Sequence, residues 1–269
     1  MKARILLVGG GKMGGSMLAG WLARGLPRDD ALVVEPGLAA AALAKLHRVG
    51  VLATPDAIDP GFRPEVVAFA VKPQMVDTVA PAYARFAGSA LFMSIAAGKS
   101  IATYRKHLGP RAAIVRVMPN TPAAIGRGMS VCCAGGGVSD AQRQLCGELM
   151  AAVGEVAWVE DEALLDPVTA VSGSGPAYVF LLAEALAAAG VKAGLEPELA
   201  MRLARATVAG SGELLARAEE SAAQLRQNVT SPAGTTQAAL EILMGPGGFQ
   251  DLLDRAVEAA TRRARDLAS

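Results

Sequence analysis

The 269-residue chain is poor in the residue types on which several common protein chemistries depend. It has only two histidines, His47 and His107, which excludes a His-rich metal site. The three cysteines, Cys132, Cys133 and Cys146, are an odd number without CxxC spacing. Adjacent strand residues point to opposite faces, so Cys132 and Cys133 are poorly placed to share a metal or a bridge. All three read as small core hydrophobes. Aromatics make up 4%, and 26 Lys+Arg against 25 Asp+Glu leave a net charge of +1. Nucleic-acid binders normally carry a basic excess and stacking aromatics, so no nucleic-acid partner is expected. Long apolar runs are also scarce. Ile5–Val8 is too short for a signal peptide. Gly175–Val191, 17 residues with Glu184 near the middle, falls short of a membrane span. A protein without a membrane partner, in a reducing compartment and most simply cytoplasmic, is expected.

What is abundant is apolar side chain, 52% of residues against 19% charged. A chain of this length buries roughly 70–75% of its unfolded surface and needs neither disulfide nor metal to fold. Over residues 1–160, apolar runs alternate with helical stretches. Strands are expected at Arg4–Val8, Ala31–Glu35, Glu65–Val71, Ala90–Ile95, Ala112–Val117, Met129–Ala134 and Glu155–Val159. Helices are expected at Met13–Arg24, Leu38–Arg48, after Pro73 and from Asp140 to Ala152. Continuous apolar strands separated by helices imply a mostly parallel sheet covered on both faces. An acidic run, Glu160–Glu162, marks a domain edge. Residues 161–269 change texture: Ala177–Ala189, Glu198–Arg217 and Gly248–Leu267 are Ala/Leu/Glu/Arg-rich and read as helices. Asn228–Thr236 is a polar hinge between them.

Gly9-Gly10-Gly11-Lys12-Met13-Gly14 is a GxGxxG that follows an apolar strand and opens a helix. In that position Gly9 makes the tight turn, and Gly11 lets backbone amides approach a pyrophosphate. Gly14 lets helix and strand pack closely. The helix N-terminus then faces the anion. Glu35 closes the second strand, where an acidic side chain bonds a ribose 2′-hydroxyl and favours NADH. If Pro36 instead turns Glu35 into solvent, the choice between NADPH and NADH stays open.

In a doubly wound sheet, ligands lie beyond the carboxyl ends of the strands. Val71-Lys72-Pro73-Gln74, Ser94–Gly98 and Met118–Pro122 are loops of that kind. Lys72 reaches a phosphate or is simply a solvated charge. Pro119 and Pro122 stiffen a loop that either presents Asn120 and Thr121 to a nicotinamide or is only a turn. In the helical half, Ser172–Pro176 is a small-residue loop with Pro176 suited to a first helical position. Thr230–Thr236 offers amides and hydroxyls at a helix opening near Gly234. Such a loop cradles a small carboxylate, or Ser231 or Thr230 merely caps the helix.

Taken together, these segments resemble the pyrroline-5-carboxylate reductase family from the N-terminal loop to about Leu267. Gly9–Gly14, Val71–Gln74, Met118–Ala123 and Ser172–Tyr178 stand in the family's order. Asn228–Thr236, followed by Gly247–Phe249 and Ala256–Ala259, is the most specific stretch. The resemblance implies an α/β Rossmann-like N-terminal domain plus an all-α C-terminal dimerisation domain. It implies hydride transfer from NADPH or NADH to the cyclic imine of 1-pyrroline-5-carboxylate, giving L-proline. It also implies a homodimer, in some members built up to a decamer. By resemblance, Ser231, Gly234, Thr235 and Thr236 hold the substrate carboxylate, and the Thr236 hydroxyl reaches the imine nitrogen. Gly9, Gly11, Lys12, Met13, Gly14, Glu35, Val71, Lys72 and Pro73 carry the cofactor, with Asn120 and Thr121 beside the nicotinamide. Ala233 stands where the family usually has glycine, a departure that matters if the position needs positive φ. Glu35-Pro36 departs from the small polar or basic residues of strongly NADPH-selective members.

The missing catalytic histidine agrees with this chemistry. Hydride transfer to a ketone creates an alkoxide and calls for a strong acid, whereas a protonated imine becomes a neutral amine. Positioning two small reactants then supplies much of the acceleration. β-Hydroxyacid dehydrogenases share the N-terminal loop but place a lysine on the helix after their second glycine motif; Pro176–Ala183 has none. A sensor that binds the dinucleotide without turnover would not need the hydroxyls of Ser231–Thr236.

Overall fold

The computed structural model describes residues 3–37 and 47–268. The helix expected over Leu38–Arg48 falls almost wholly outside them. Among the described residues, eight strands form one sheet: β1 (Ile5–Val8), β2 (Ala31–Val34), β3 (Gly50–Leu52), β4 (Val66–Phe69), β5 (Leu91–Ser94), β6 (Ala113–Met118), β7 (Gly128–Ala134) and β8 (Gly154–Val159), in the order β3-β2-β1-β4-β5-β6-β7-β8. Neighbouring strands are parallel except β6 and β7, which pair antiparallel through Arg116↔Cys133. Strand β3 has little signature in the sequence, because it is only three residues long, opens on a glycine and is at most half-buried.

Alternate residues of each central strand enter different cores. Ile5 and Leu7 pack on one face with Met17, Trp21 and Leu149, while Leu6 and Val8 pack on the other with Phe69, Tyr83 and Tyr104. Cys132 and Cys133 follow the same rule, one on each face, and both are buried. Helix α1 (Lys12–Ala23) presents Gly14, Met17, Leu18 and Trp21 to the sheet, the spacing of one helical face. The Trp21 indole N–H donates to the Leu149 carbonyl at 2.9 Å, so this large ring is buried without an orphaned donor. After Pro73 the chain forms a tight turn (Pro73–Met75), the short helix α2 (Val76–Val79) and a 3-10 stretch, Ala80–Phe86. Pro81, lacking an N–H, prevents a regular helix from continuing there.

Helix α3 (Ile101–Leu108) is an addition to the elements read from sequence; Ser100 caps it by accepting from Thr103 N–H. Helix α4 (Asp140–Ala151) opens with a reciprocal capping box between Ser139 and Gln142. Beyond β8, short turns lead through α5 (Leu165–Val168) and a π-helical turn, Thr169–Gly173. Then follow α6 (Gly175–Lys192), α7 (Pro197–Arg217), α8 (Ala222–Asn228), α9 (Thr235–Leu243) and α10 (Phe249–Ala268).

The backbone forms two compact units, Met1–Gly173 with Ala260–Ser269, and Ser174–Ala259. The acidic run at the expected edge is anchored within the first. Glu160 pairs with Arg143 at 2.9 Å, and Glu162 accepts from both Arg116 (2.7 Å) and the Ile101 amide (2.8 Å). In the second unit α6 and α7 meet through Ala187, Ala200 and Ala204, so little of their apolar surface is covered. Phe180 and Leu181 are each more than 60% exposed, and Leu203 nearly half. One correction concerns length. The helical run around Gly175–Val191 extends through the turns from Glu162 to Lys192, 31 residues, and is long and apolar enough to cross a membrane. In the sequence the small residues Ser172–Gly175 look like a loop, which hides the helical turns before them.

Candidate active site

The strand order reverses between β1 and β4, and a cavity of about 440 Å³ opens at the carboxyl ends of β1 to β4. Such a switch point is where open α/β sheets bind ligands. Val8, Gly9 and Gly11 form one wall, Val34, Glu35 and Pro36 a second, and Ala70, Val71 and Lys72 a third. The glycine loop is built for close approach. Gly9 has φ +95°, and a Cβ there would lie 2.7 Å from the Ala70 carbonyl oxygen. A Cβ on Gly14 would overlap the Gly9 carbonyl. Gly11, by contrast, has open space around it and stands at the N-cap of α1 with no side chain satisfying the first-turn amides. These amides, the helix dipole and the cleared volume fit a pyrophosphate.

The structure brings Gly9, Gly11, Glu35, Val71 and Lys72 to this one cavity. Glu35 is half-buried, so Pro36 does not turn it into solvent. Its carboxylate accepts the Gly10 N–H at 2.6 Å and the Gly37 N–H at 2.8 Å. Lys12 opens α1 on the exposed side, Met13 packs on the core, and Pro73 begins the turn after β4. The opposite wall of the cavity, Ala53, Pro55, Met75, Thr78, Ala82 and Tyr83, has no signature in the sequence, and the contact of Gly10 with Glu35 arises only on folding. That wall belongs to crossovers with no motif of their own. Burial pushes the Tyr83 hydroxyl well above its ordinary pKa, so it stays neutral.

Asn120 and Thr121 lie on the loop after β6, outside the lining of that cavity. Asn120 Oδ1 accepts the Met129 N–H at 2.8 Å, and its amide nitrogen lies 3.2 Å from both the Ser172 carbonyl and hydroxyl. The side chain therefore ties the β6 loop to the π-helical turn. The end of the Met118 side chain lies over Gly173, so the two segments also meet through an apolar contact there. Thr121 is exposed. Nearby, Ser94 donates to the Tyr104 hydroxyl at 2.5 Å, and burial pushes the Tyr104 pKa up to about 12.

In the helical unit, α8 and α9 are joined by Val229–Gly234. Thr230 Oγ1 donates to the Arg226 carbonyl at 2.7 Å, which ends α8 locally rather than capping α9. Ala233 has φ +56°, the left-handed region glycine favours, so the departure noted in the sequence is a real backbone demand. Gly234 is the N-cap of α9 and has no side-chain cap. Its missing Cβ leaves room for Ser231 Oγ, which a side chain there would meet at 2.5 Å. Ser231 Oγ lies beside the start of α9, whose first-turn amides, those of Thr235 and Thr236 among them, have no side-chain cap. Asn228–Thr236 contains no charged residue, so the loop itself offers only neutral donors.

A glycine cradle at the switch point of a mostly parallel sheet, continued by an all-helical unit, defines an NAD(P)H-dependent oxidoreductase. Comparison with known proteins narrows this. Residues 162–267 match the family model described as pyrroline-5-carboxylate reductase dimerisation, and residues 4–98 match that of NADP oxidoreductase, coenzyme F420-dependent. The chain is 40% identical to the pyrroline-5-carboxylate reductase of Pseudomonas aeruginosa over 98% of its own length and 97% of the relative's. The Coxiella burnetii pyrroline-5-carboxylate reductase superposes with a TM-score of 0.92 at 34% identity, covering 99% of both chains. The Plasmodium falciparum pyrroline carboxylate reductase, solved with NADP bound, gives 0.83 at 28% identity over 99% of this chain and 98% of that one. The chain belongs to the pyrroline-5-carboxylate reductase family. Its apolar helical segment from Glu162 onward is accordingly part of an oligomerisation region.

Proposed function

We propose that the protein reduces 1-pyrroline-5-carboxylate to L-proline, the final step of proline biosynthesis, with Ser231–Thr236 as the substrate cradle. The observation that carries this reading is the uncapped start of α9, where open first-turn amides meet a loop rich in hydroxyl residues and free of charged ones. The bound nicotinamide dinucleotide supplies the hydride. Ser231, Gly234, Thr235 and Thr236 hold the substrate carboxylate through charge-assisted hydrogen bonds, worth about 1.5–3 kcal/mol each. The Thr236 hydroxyl steadies the ring nitrogen, whose charge disappears as the imine becomes an amine. No strong acid is required, so a threonine suffices. Gly9, Gly11, Lys12, Met13 and Gly14 seat the pyrophosphate, and Glu35, Val71, Lys72 and Pro73 complete the dinucleotide pocket. Asn120 and Thr121 face the nicotinamide side, Asn120 chiefly by fixing the loop to Ser172.

In this reading residues 1–160 hold the dinucleotide, and residues 161–269 hold the substrate and pair with a second copy. Covering Phe180, Leu181 and Leu203 in a homodimer, with decamers built from dimers, removes apolar surface that the unit alone leaves in water. A cytoplasmic, membrane-free location fits three free cysteines and a helical run whose apolar face a second copy covers. The test is the initial rate of NADH and NADPH oxidation with 1-pyrroline-5-carboxylate. Turnover with L-proline as product supports the assignment; dinucleotide binding without turnover replaces it with a sensor.

A further inference from the structure

The Glu35 carboxylate is held from two sides, by Gly10 N–H on the glycine loop and by Gly37 N–H on the turn after β2. Each oxygen keeps acceptor capacity, because a carboxylate offers about four lone-pair sites. The walls around it, Pro36, Ala53, Pro55, Met75 and Val79, are apolar and suit a flat purine. A ribose 2′-hydroxyl is a donor that satisfies the carboxylate. A 2′-phosphate brings only acceptors and further negative charge. Among the described residues lining the cavity, Lys72 is the one cation, and it lies beyond β4, on the far side of β1 from Glu35.

We infer that this chain is selective for NADH over NADPH and that Glu35 is the residue that determines it. An untethered glutamate rotates into water and lets a 2′-phosphate take its place. Here rotation breaks two charge-assisted hydrogen bonds and strands the Gly10 amide beside the glycine loop, so the negative charge stays where the 2′ position is read. The inference rests on the cavity being the dinucleotide site of the proposed reductase.

The test is equilibrium titration of the full chain with NADH and with NADPH, read by nicotinamide fluorescence without substrate. Wild type is expected to bind NADH at least about tenfold more tightly. Glu35→Gln, which keeps the size and removes the charge, is expected to tighten NADPH binding about fivefold or more and to narrow the ratio. Equal wild-type affinities, or an unchanged ratio in Glu35→Gln, would overturn the assignment while leaving the dinucleotide site intact. Failure of both dinucleotides to bind would overturn the cavity reading as well. If Glu35→Gln does not fold, the wild-type ratio decides alone, with 5′-AMP expected to compete better than 2′-AMP at the same cavity and the reverse order contradicting it.

Discussion

The Ala233 amide donates to Gln237 Oε1 at 2.9 Å while the Ala233 backbone sits at φ +56°. The first turn of α9 thus holds the preceding loop in a conformation that an L-residue resists. Left-handed backbone costs an alanine about 1–2 kcal/mol, and glycine returns about 0.4–1 kcal/mol of that through unfolded-chain entropy. Ala233→Gly is therefore expected to stabilise the protein by about 0.5–1 kcal/mol, read as a rise in the urea midpoint. A lower midpoint would mean that the position is not strained.

Thr236→Ala removes the hydroxyl assigned to the imine nitrogen and leaves the glycine loop untouched. A lost charge-assisted hydrogen bond predicts a fall in kcat of about 10–100-fold. NAD(P)H affinity should change by less than about twofold, because nothing in the dinucleotide cavity is altered. Steady-state rates beside direct cofactor titration separate the two. An equal loss in both would remove Thr236 from its substrate role.

Asn120 satisfies the Met129 amide and reaches Ser172 with its other end. Asn120→Ala strands a partly buried donor and is expected to cost about 1–3 kcal/mol in unfolding free energy. Asn120→Asp keeps the acceptor for Met129 but sets a carboxylate oxygen against the Ser172 carbonyl, leaving only the Ser172 hydroxyl to donate to it. Both variants should therefore lose stability and raise KM, and wild-type unfolding midpoints for both would mean that the link from the β6 loop to Ser172 is unimportant.

Much of this architecture was legible in the sequence, for a local reason: apolar runs such as Leu91–Ser94 are buried on both faces and need no context to be recognised. The glycine loop was legible because three backbone positions there demand the absence of a side chain. Strand β3 was not, since Gly50–Leu52 is held by register with β2 rather than by its own pattern. Nor was the antiparallel turn-back at β7, because the tight turn around Gly126, at φ +71°, looks like any other loop between strands. The partners of Glu35 and Asn120 were invisible for a different reason. Gly10 lies 25 residues from Glu35 and Ser172 lies 52 from Asn120, and only folding brings these pairs together.

On the nucleotide unit's surface, Asp77 accepts from Lys99 at 2.8 Å and contacts His107 at 2.9 Å. The hydrogen bond from Lys99, then that from His107, holds the Asp77 pKa below its ordinary 3.8. A carboxylate depressed in the folded state adds stability above its unfolded pKa and loses it as the pH falls through the folded value. The stability gap between wild type and Asp77→Asn should accordingly close in acid, below about pH 4. Parallel urea midpoints at every pH would show that the cluster does not couple to folding.

The most direct measurement of the central claim uses NADH carrying deuterium at both C4 positions, with 1-pyrroline-5-carboxylate as acceptor and mass analysis of the product. The account predicts L-proline with one deuterium, on the carbon next to nitrogen that was the imine carbon, formed as the dinucleotide is oxidised. Unlabelled proline, or label lost without proline, would contradict hydride transfer to the imine in this site.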